Sequence, residues 1–121
     1  MPKEYSRNRR VADLIQRELA VLIQRYVQGP EVGLVTISTI DVSPDLGNAR
    51  VYITCLGNQT GIEDIIDLLN EMAGQFRREL AKTSTMRSVP RLEFRFDQAL
   101  EHANRLTDLI DSLHTNKKTS P

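Results

Sequence analysis

Gly74, Arg77, Arg78 and Lys82 are the residues whose types and spacing most directly suggest chemistry, and that chemistry is contact with phosphate. They fall in an apolar-periodic segment. A break at the glycine would expose backbone amides at the start of the segment's second half, where the helix dipole favours an anion. Arg78 and Lys82 stand four apart and off the Ala73–Phe76–Leu80 stripe, so both could reach one phosphate backbone. Arg87 and Arg91 flank Pro90 and extend the positive strip, while Arg7, Arg9 and Arg10 form a basic arm near the start of the chain. Each feature has a plainer competitor. Gly74 could permit close helix packing, Arg77 and Arg78 could pair with Glu71 and Glu79, and a short charged end is commonly just solvated.

Other candidate chemistry is thin. His102 and His114 are twelve residues apart in one predicted helix, sharing roughly a face but no site. Glu63 and Asp67 could in principle hold a cation, but Glu63 is better explained as part of a helix cap. Cys55 stands alone and reads as a small core residue. With no phosphate-binding glycine loop, nucleophile elbow or zinc spacing, the chain is expected to be no enzyme and to carry no cofactor or metal.

Net charge is zero, from 16 basic and 16 acidic residues. Taken alone, that argues weakly against a nucleic-acid binder, but the charges are unevenly spread. Basic residues prevail over 1–30 and 77–95, acidic ones at Glu63, Asp64, Asp67 and Glu71 and again from Asp97 to Asp111. Arginine supplies 12 of the 16 basic residues, which suits bidentate phosphate contacts. A fold that joined the two basic segments would have a positive side. Charge alone leaves this reading level with one of solvated, ion-paired helix faces. Exposed aromatic platforms are not evident, Tyr5 and Tyr52 being the candidates left once Phe76, Phe94, Phe96 and Tyr26 are assigned to buried stripes. That favours recognition by shape and phosphate over base sequence.

The elements that must position these residues follow from periodicity. Residues 6–27 read as an amphipathic helix capped by Ser6 and stopped by Gly29-Pro30. Residues 34–42 and 49–55 form a hairpin across Ser43-Pro44-Asp45-Leu46-Gly47-Asn48. A change of parity in the first strand means either burial on both faces or a bulge between Ile37 and Ile40. Thr60 and Glu63 then form a capping box before a long stripe from Ile62 to Leu80, interrupted at Gly74, where a kink is expected. Val89-Pro90 opens a third strand in which Leu92, Phe94 and Phe96 point inward. A last helix is expected over 98–113, and the polar tail 115–121 is expected to be disordered. The fold class is therefore α+β, a single domain over 1–114 with helices on one face of a three-stranded sheet. No apolar run approaches the about 20 residues of a membrane span, and the start lacks a secretory apolar stretch, so a cytoplasmic protein is expected.

Three stretches carry a family likeness: 9–19 in the first helix, 39–46 with 49–52 across the turn, and 76–80 through 86–94 to Asp97. In this order they resemble the ribosome-binding factor A family from about Arg7 to about Leu113, nearly the whole chain. The resemblance implies a type II KH-like fold with the helix-strand-strand-kinked helix-strand order read above and an additional C-terminal helix. It implies an RNA-binding assembly factor on the free small (30S) ribosomal subunit, assisting late maturation and processing of 16S rRNA, including in the cold. Assembly GTPases are implied as further partners, and the domain is expected to be a monomer. Classical KH domains clamp the nucleic-acid backbone with a GxxG loop, which this chain lacks. The family has an alanine-x-glycine kink there; this chain reads Met72-Ala73-Gly74, with methionine in place of the leading alanine. The resemblance and the charges together mark Arg7, Arg9, Arg10, Ala73, Gly74, Arg77, Arg78, Lys82, Arg87 and Arg91 as the RNA-binding set. The competing expectation, from the zero net charge and missing GxxG, is a protein-interaction module without direct RNA contact.

Overall fold

A computed structural model describes residues 3–83, 86 and 88–99. The stripe ending at Tyr26 becomes α1 (Lys3–Tyr26), and the two alternating segments become β1 (Leu34–Val42) and β2 (Asn48–Leu56). The long stripe divides into α2 (Ile62–Glu71) and α3 (Ala73–Thr83), and the last alternating run is β3 (Arg91–Phe96). β2 lies between its neighbours, antiparallel to β1 and parallel to β3. This is the KH-like α+β arrangement. α1 packs on β1 and α3, while α2 and α3 pack on β3, so the helices cover one face of the sheet. The expected last helix, the tail and the boundary at 114 lie outside the described residues.

The core is built from the predicted positions. Ile15, Leu19 and Ile23 of α1, Ile65 and Leu69 of α2, and Phe76 and Leu80 of α3 are buried against Val51, Ile53 and Phe94. A bulge does interrupt β1: the register with β2 slips between Ile37 and Thr39. Val35 and Ile37 before it, and Ile40 and Val42 after it, consequently all face the core, because one extra residue restores the two-residue alternation to the same side.

Several local expectations are corrected. Ser6 lies inside α1, which already includes Lys3, and is not its cap. Tyr26 is exposed, and Val27, one residue on, is buried in its stead as the chain leaves the helix. Gly29 does take the left-handed backbone expected of a helix stop, at φ 119°. Gly61 is the cap residue of α2, and neither Thr60 nor Glu63 closes a capping box. Thr60 sits one residue too early, its amide spent on the Glu31 carbonyl at 2.9 Å. The helix break falls at Met72 instead of Gly74. Met72 (φ −86°, ψ −3°) donates back to Leu68 and Leu69 in a tightened final turn, and Gly74 is already within α3. Cys55 and Phe96 are half-buried instead of core, since both lie near strand ends that the helices do not fully cover; partial burial also raises the Cys55 thiol pKa.

Side-chain amides hold the sheet to its helices. Asn8 and Gln16, on α1, donate to the carbonyls of Val42 and Ile37 in β1. Asn70 of α2 donates to the Phe94 carbonyl at 3.1 Å and accepts from the Phe94 amide at 2.8 Å, occupying both backbone groups on the outer edge of β3. Loss of that pairing leaves a donor and an acceptor to find water at a half-covered edge. Asn70→Ala is expected to cost about 1–2 kcal/mol, read from urea denaturation. Asn70→Asp should cost more, because it sets a carboxylate against a carbonyl. An unchanged midpoint in both variants would deny the edge pairing any weight.

The hairpin tip is a polar knot. Asp45 Oδ1 accepts from the Ser43 hydroxyl at 2.6 Å and the Gly47 amide at 2.9 Å, and the Asn48 amide donates to Ser43 Oγ at 3.0 Å. Leu46 takes a left-handed backbone, φ 61°, rare for a leucine, with its side chain packed against the core. The Ser43 hydroxyl, followed by the Gly47 amide, holds the Asp45 carboxyl below its ordinary value of 3.8. The ionised form is favoured in the fold, so its contribution is complete above that ordinary value and fades as pH falls through the lowered one. Stability measured between about pH 2 and 5 should therefore decline less steeply in Asp45→Asn than in the wild type. Parallel pH curves would count against the turn's preference for the carboxylate.

Candidate nucleic-acid interface

The two basic segments meet through the hairpin tip. At one side, the Asn8 amide is bonded to the Val42 carbonyl at 3.2 Å, which ties the arginine-rich start of α1 to the last residue of β1. At the other, the Arg91 amide donates to the Gly47 carbonyl at 2.9 Å, which ties the start of β3 to the tip itself. Arg77 Nε donates to the Val89 carbonyl at 3.0 Å and brings α3 to the same junction. α1 also packs directly on α3. Residues some seventy apart in the chain thus share one end of the domain.

Within this end the predicted residues take different positions. Arg7, Arg9 and Arg10 are exposed on the first turns of α1. Arg9 lines a polar cavity of about 380 Å³ together with Asp13, Gln16 and Asp41. Gly74 is exposed, and a Cβ placed on it would meet only Arg78 Nη1, at 3.9 Å. Close helix packing is therefore not what the glycine serves. Arg78 instead leans back over Gly74, toward the start of α3, as side chains on a helix do. Among the described residues Arg78 has no ion-pair partner, whereas Lys82 stands 3.8 Å from Glu79, with the lysine largely exposed. Such a surface pair contributes little and releases the lysine readily. Ala73 is half-buried and packs on the core, so it positions the turn more than it presents a contact. Arg87 lies outside the described residues.

Of the acidic residues expected to lie apart, the first group is described, and the second, Asp97 excepted, lies outside the described residues. Glu63, Asp64, Asp67 and Glu71 are all on α2, the first two in its opening turn, where the helix dipole favours them. Basic α3 and acidic α2 follow one another across the Met72 break.

Periodicity did not mark two contributors. Arg50 lies on the exposed face of β2, in register with Asp41 on one side and Glu93 on the other. Its parity already sent it outward; what the sequence lacked was its adjacency to Arg91, which depends on the parallel pairing of β2 with β3. Asn8 has no periodic signal at all, because its importance lies in a bond to a strand 34 positions away.

Comparison with known proteins places this geometry in context. A model of the family described as ribosome-binding factor A matches residues 7–110. Ribosome-binding factor A of Pseudomonas syringae pv. tomato is 45% identical over 130 aligned positions, covering 100% of this chain and 94% of that protein. The namesake from Pseudomonas fluorescens strain Pf0-1 is 47% identical, with 92% and 85% covered. Among solved structures, the crystal structure of ribosome-binding factor A from Thermus thermophilus superposes with a TM-score of 0.64 at 26% identity, covering 74% of this chain and 93% of that one. A homology model of the Thermus thermophilus factor, fitted into a cryo-electron-microscopy map of its complex with the 30S subunit, gives 0.61 at 25% identity, with 72% and 91% covered.

Proposed function

The chain belongs to the ribosome-binding factor A family, and from that premise we propose that it binds the free 30S subunit through the basic end of the domain. The observation that carries this is the set of Asn8–Val42, Arg91–Gly47 and Arg77–Val89 bonds, which supports one end of the domain for the segments that bear Arg7, Arg9, Arg10, Arg77, Arg78, Lys82 and Arg91. Guanidinium and ammonium groups gathered on one end suit the phosphate backbone of 16S rRNA, where charge sets affinity and position. The complex of the Thermus thermophilus factor with the 30S subunit supports the choice of the small subunit as partner.

On this reading the protein acts by binding, not by catalysis. It holds an immature conformation of the subunit while 16S rRNA completes its late maturation and processing. Growth in the cold would demand it most, because misfolded RNA escapes slowly at low temperature. It works in the cytoplasm as a monomer, and assembly GTPases act on the same particle. Ala73 and Gly74 open the helix from which Arg78 reaches out, and Arg87 is a further phosphate contact on the strength of its sequence position alone.

Sedimentation of the purified protein with free small subunits and with complete ribosomes tests the proposal. Association with the free subunit, weakening steeply as salt rises, is the expected result. No association at any salt would remove RNA contact as the function and favour a protein partner for the acidic face of α2.

A further inference from the structure

Among the described residues, the helices occupy one face of the sheet and leave the other open. On that open face three residues stand in one row, Thr39 of β1, Tyr52 of β2 and Arg95 of β3, because the bulge in β1 brings Thr39 opposite Tyr52. The next row is Asp41, Arg50 and Glu93, and Arg91 follows beside Asn48. Tyr52 is half-buried on the central strand, with small Thr39 on one flank. Among the described residues its hydroxyl has no hydrogen-bond partner; its backbone carbonyl accepts from the Ser38 hydroxyl at 3.2 Å, and that hydroxyl also donates to Asp97 Oδ2 at 2.6 Å.

We propose that this open face is a second RNA-contacting surface, on which Tyr52 stacks against an unpaired base while Arg50 and Arg91 hold neighbouring phosphates. The inference rests on the 16S rRNA reading above and deepens it. An aromatic ring on a central strand with arginines beside it is the arrangement that receives single-stranded nucleic acid, because every base has a stackable face. Arg50 lies two residues from Tyr52 on the same face, about 7 Å along the strand. Arg91 continues the positive track to the hairpin tip and so joins the open face to the basic end of the domain. Three carboxylates border the face: Glu93 is held by Arg95, Asp41 lies across from Arg50, and Asp97 accepts from the Ser38 hydroxyl and lines the cavity beside Tyr52.

The other side of Tyr52 gives the strand a direction. A cavity of about 710 Å³ opens there, lined by Tyr52, Arg95, Phe96, Ile66, Glu63 and Asp67. Carboxylates repel phosphate but accept hydrogen bonds from the amino groups of bases. The backbone of the RNA therefore runs on the Arg50–Arg91 side, and the stacked base points toward Phe96 and Asp67.

The chain contains no tryptophan, so Tyr52→Trp installs a single fluorescent reporter. Titration with an unstructured dodecamer of adenine and uracil nucleotides is expected to quench it saturably. In wild type and variants the affinity for the same labelled dodecamer is read by anisotropy across a salt series. Tyr52→Ala should bind from about 5-fold to about 150-fold more weakly with an unchanged salt slope, since a stack and no charge is lost. Arg50→Ala should flatten that slope by about one, and Tyr52→Phe, which keeps the ring, should bind like the wild type. An unquenched tryptophan together with wild-type affinity in Tyr52→Ala overturns the proposal. If subunits still co-sediment with the wild type in that case, only the sheet surface falls. If they do not, the assembly reading falls independently.

Discussion

Replacing Arg77, Arg78 and Lys82 together by alanine is expected to abolish association with free small subunits at moderate salt. A hydrogen bond to a charged group contributes about 1.5–3 kcal/mol, and about 1.4 kcal/mol is tenfold in affinity. Three such contacts therefore amount to roughly a thousandfold even at the lower bound. The slope of log affinity against log salt should become shallower by about 2.7, since each phosphate contact accounts for about 0.9. The three residues are not equivalent. Arg77 Nε is bonded to the Val89 carbonyl, so its loss also loosens the lead into β3, at about 1 kcal/mol of stability. Arg78 and Lys82 are exposed, so the double variant Arg78→Ala/Lys82→Ala separates the two effects. It should keep wild-type stability in urea yet lose most of the binding. Wild-type co-sedimentation by the triple variant would remove α3 from the interface.

Phe76→Ala is expected to have the largest effect on the fold. Phe76 is fully buried, with its ring 5.9 Å from that of Phe94 and inclined at 63°, an edge-to-face contact. It is the point at which α3 grips β3, directly after the Met72 break. Truncating a buried phenylalanine costs about 3–5 kcal/mol, against a total of about 5–15 kcal/mol for a domain of this kind. Urea denaturation should show a midpoint lowered by about a fifth or more, with the unfolded fraction measurable at about 37 °C if the parent is near the low end of that range. Phe76→Leu, which keeps most of the volume, should recover the greater part. A loss below about 1 kcal/mol would mean that the break between α2 and α3 lets the pocket collapse around the missing ring.

The order of elements was legible because each depends on a local period. The stripe from Ile62 to Leu80 and the alternation of Ala49, Val51 and Ile53 state their faces directly, whereas the parity change in β1 allowed either two buried faces or a bulge, and the fold has the bulge. Boundaries were legible only in part. Thr60 and Glu63 have the residue types of a capping box, but whether such a box closes depends on where the first helical turn begins, and here Glu31 claims the Thr60 amide. The kink was misplaced by two residues for a related reason. Glycine marks a weak point in a helix, whereas the break occurs where packing turns the chain, at half-buried Met72.

The candidate site divides in the same way. The order of residues alone determined that basic residues gather in two segments and acidic ones elsewhere, because charge is a property of each residue wherever the chain takes it. The tertiary structure alone decided that these segments meet, through the bonds of Asn8 to Val42, Arg91 to Gly47 and Arg77 to Val89. It also set Arg50 and Tyr52 in rows with Glu93 and Arg95, which required β3 to pair parallel to β2. No local period encodes that choice. It is made when distant apolar faces are buried together, and the neighbours of every exposed residue follow from it.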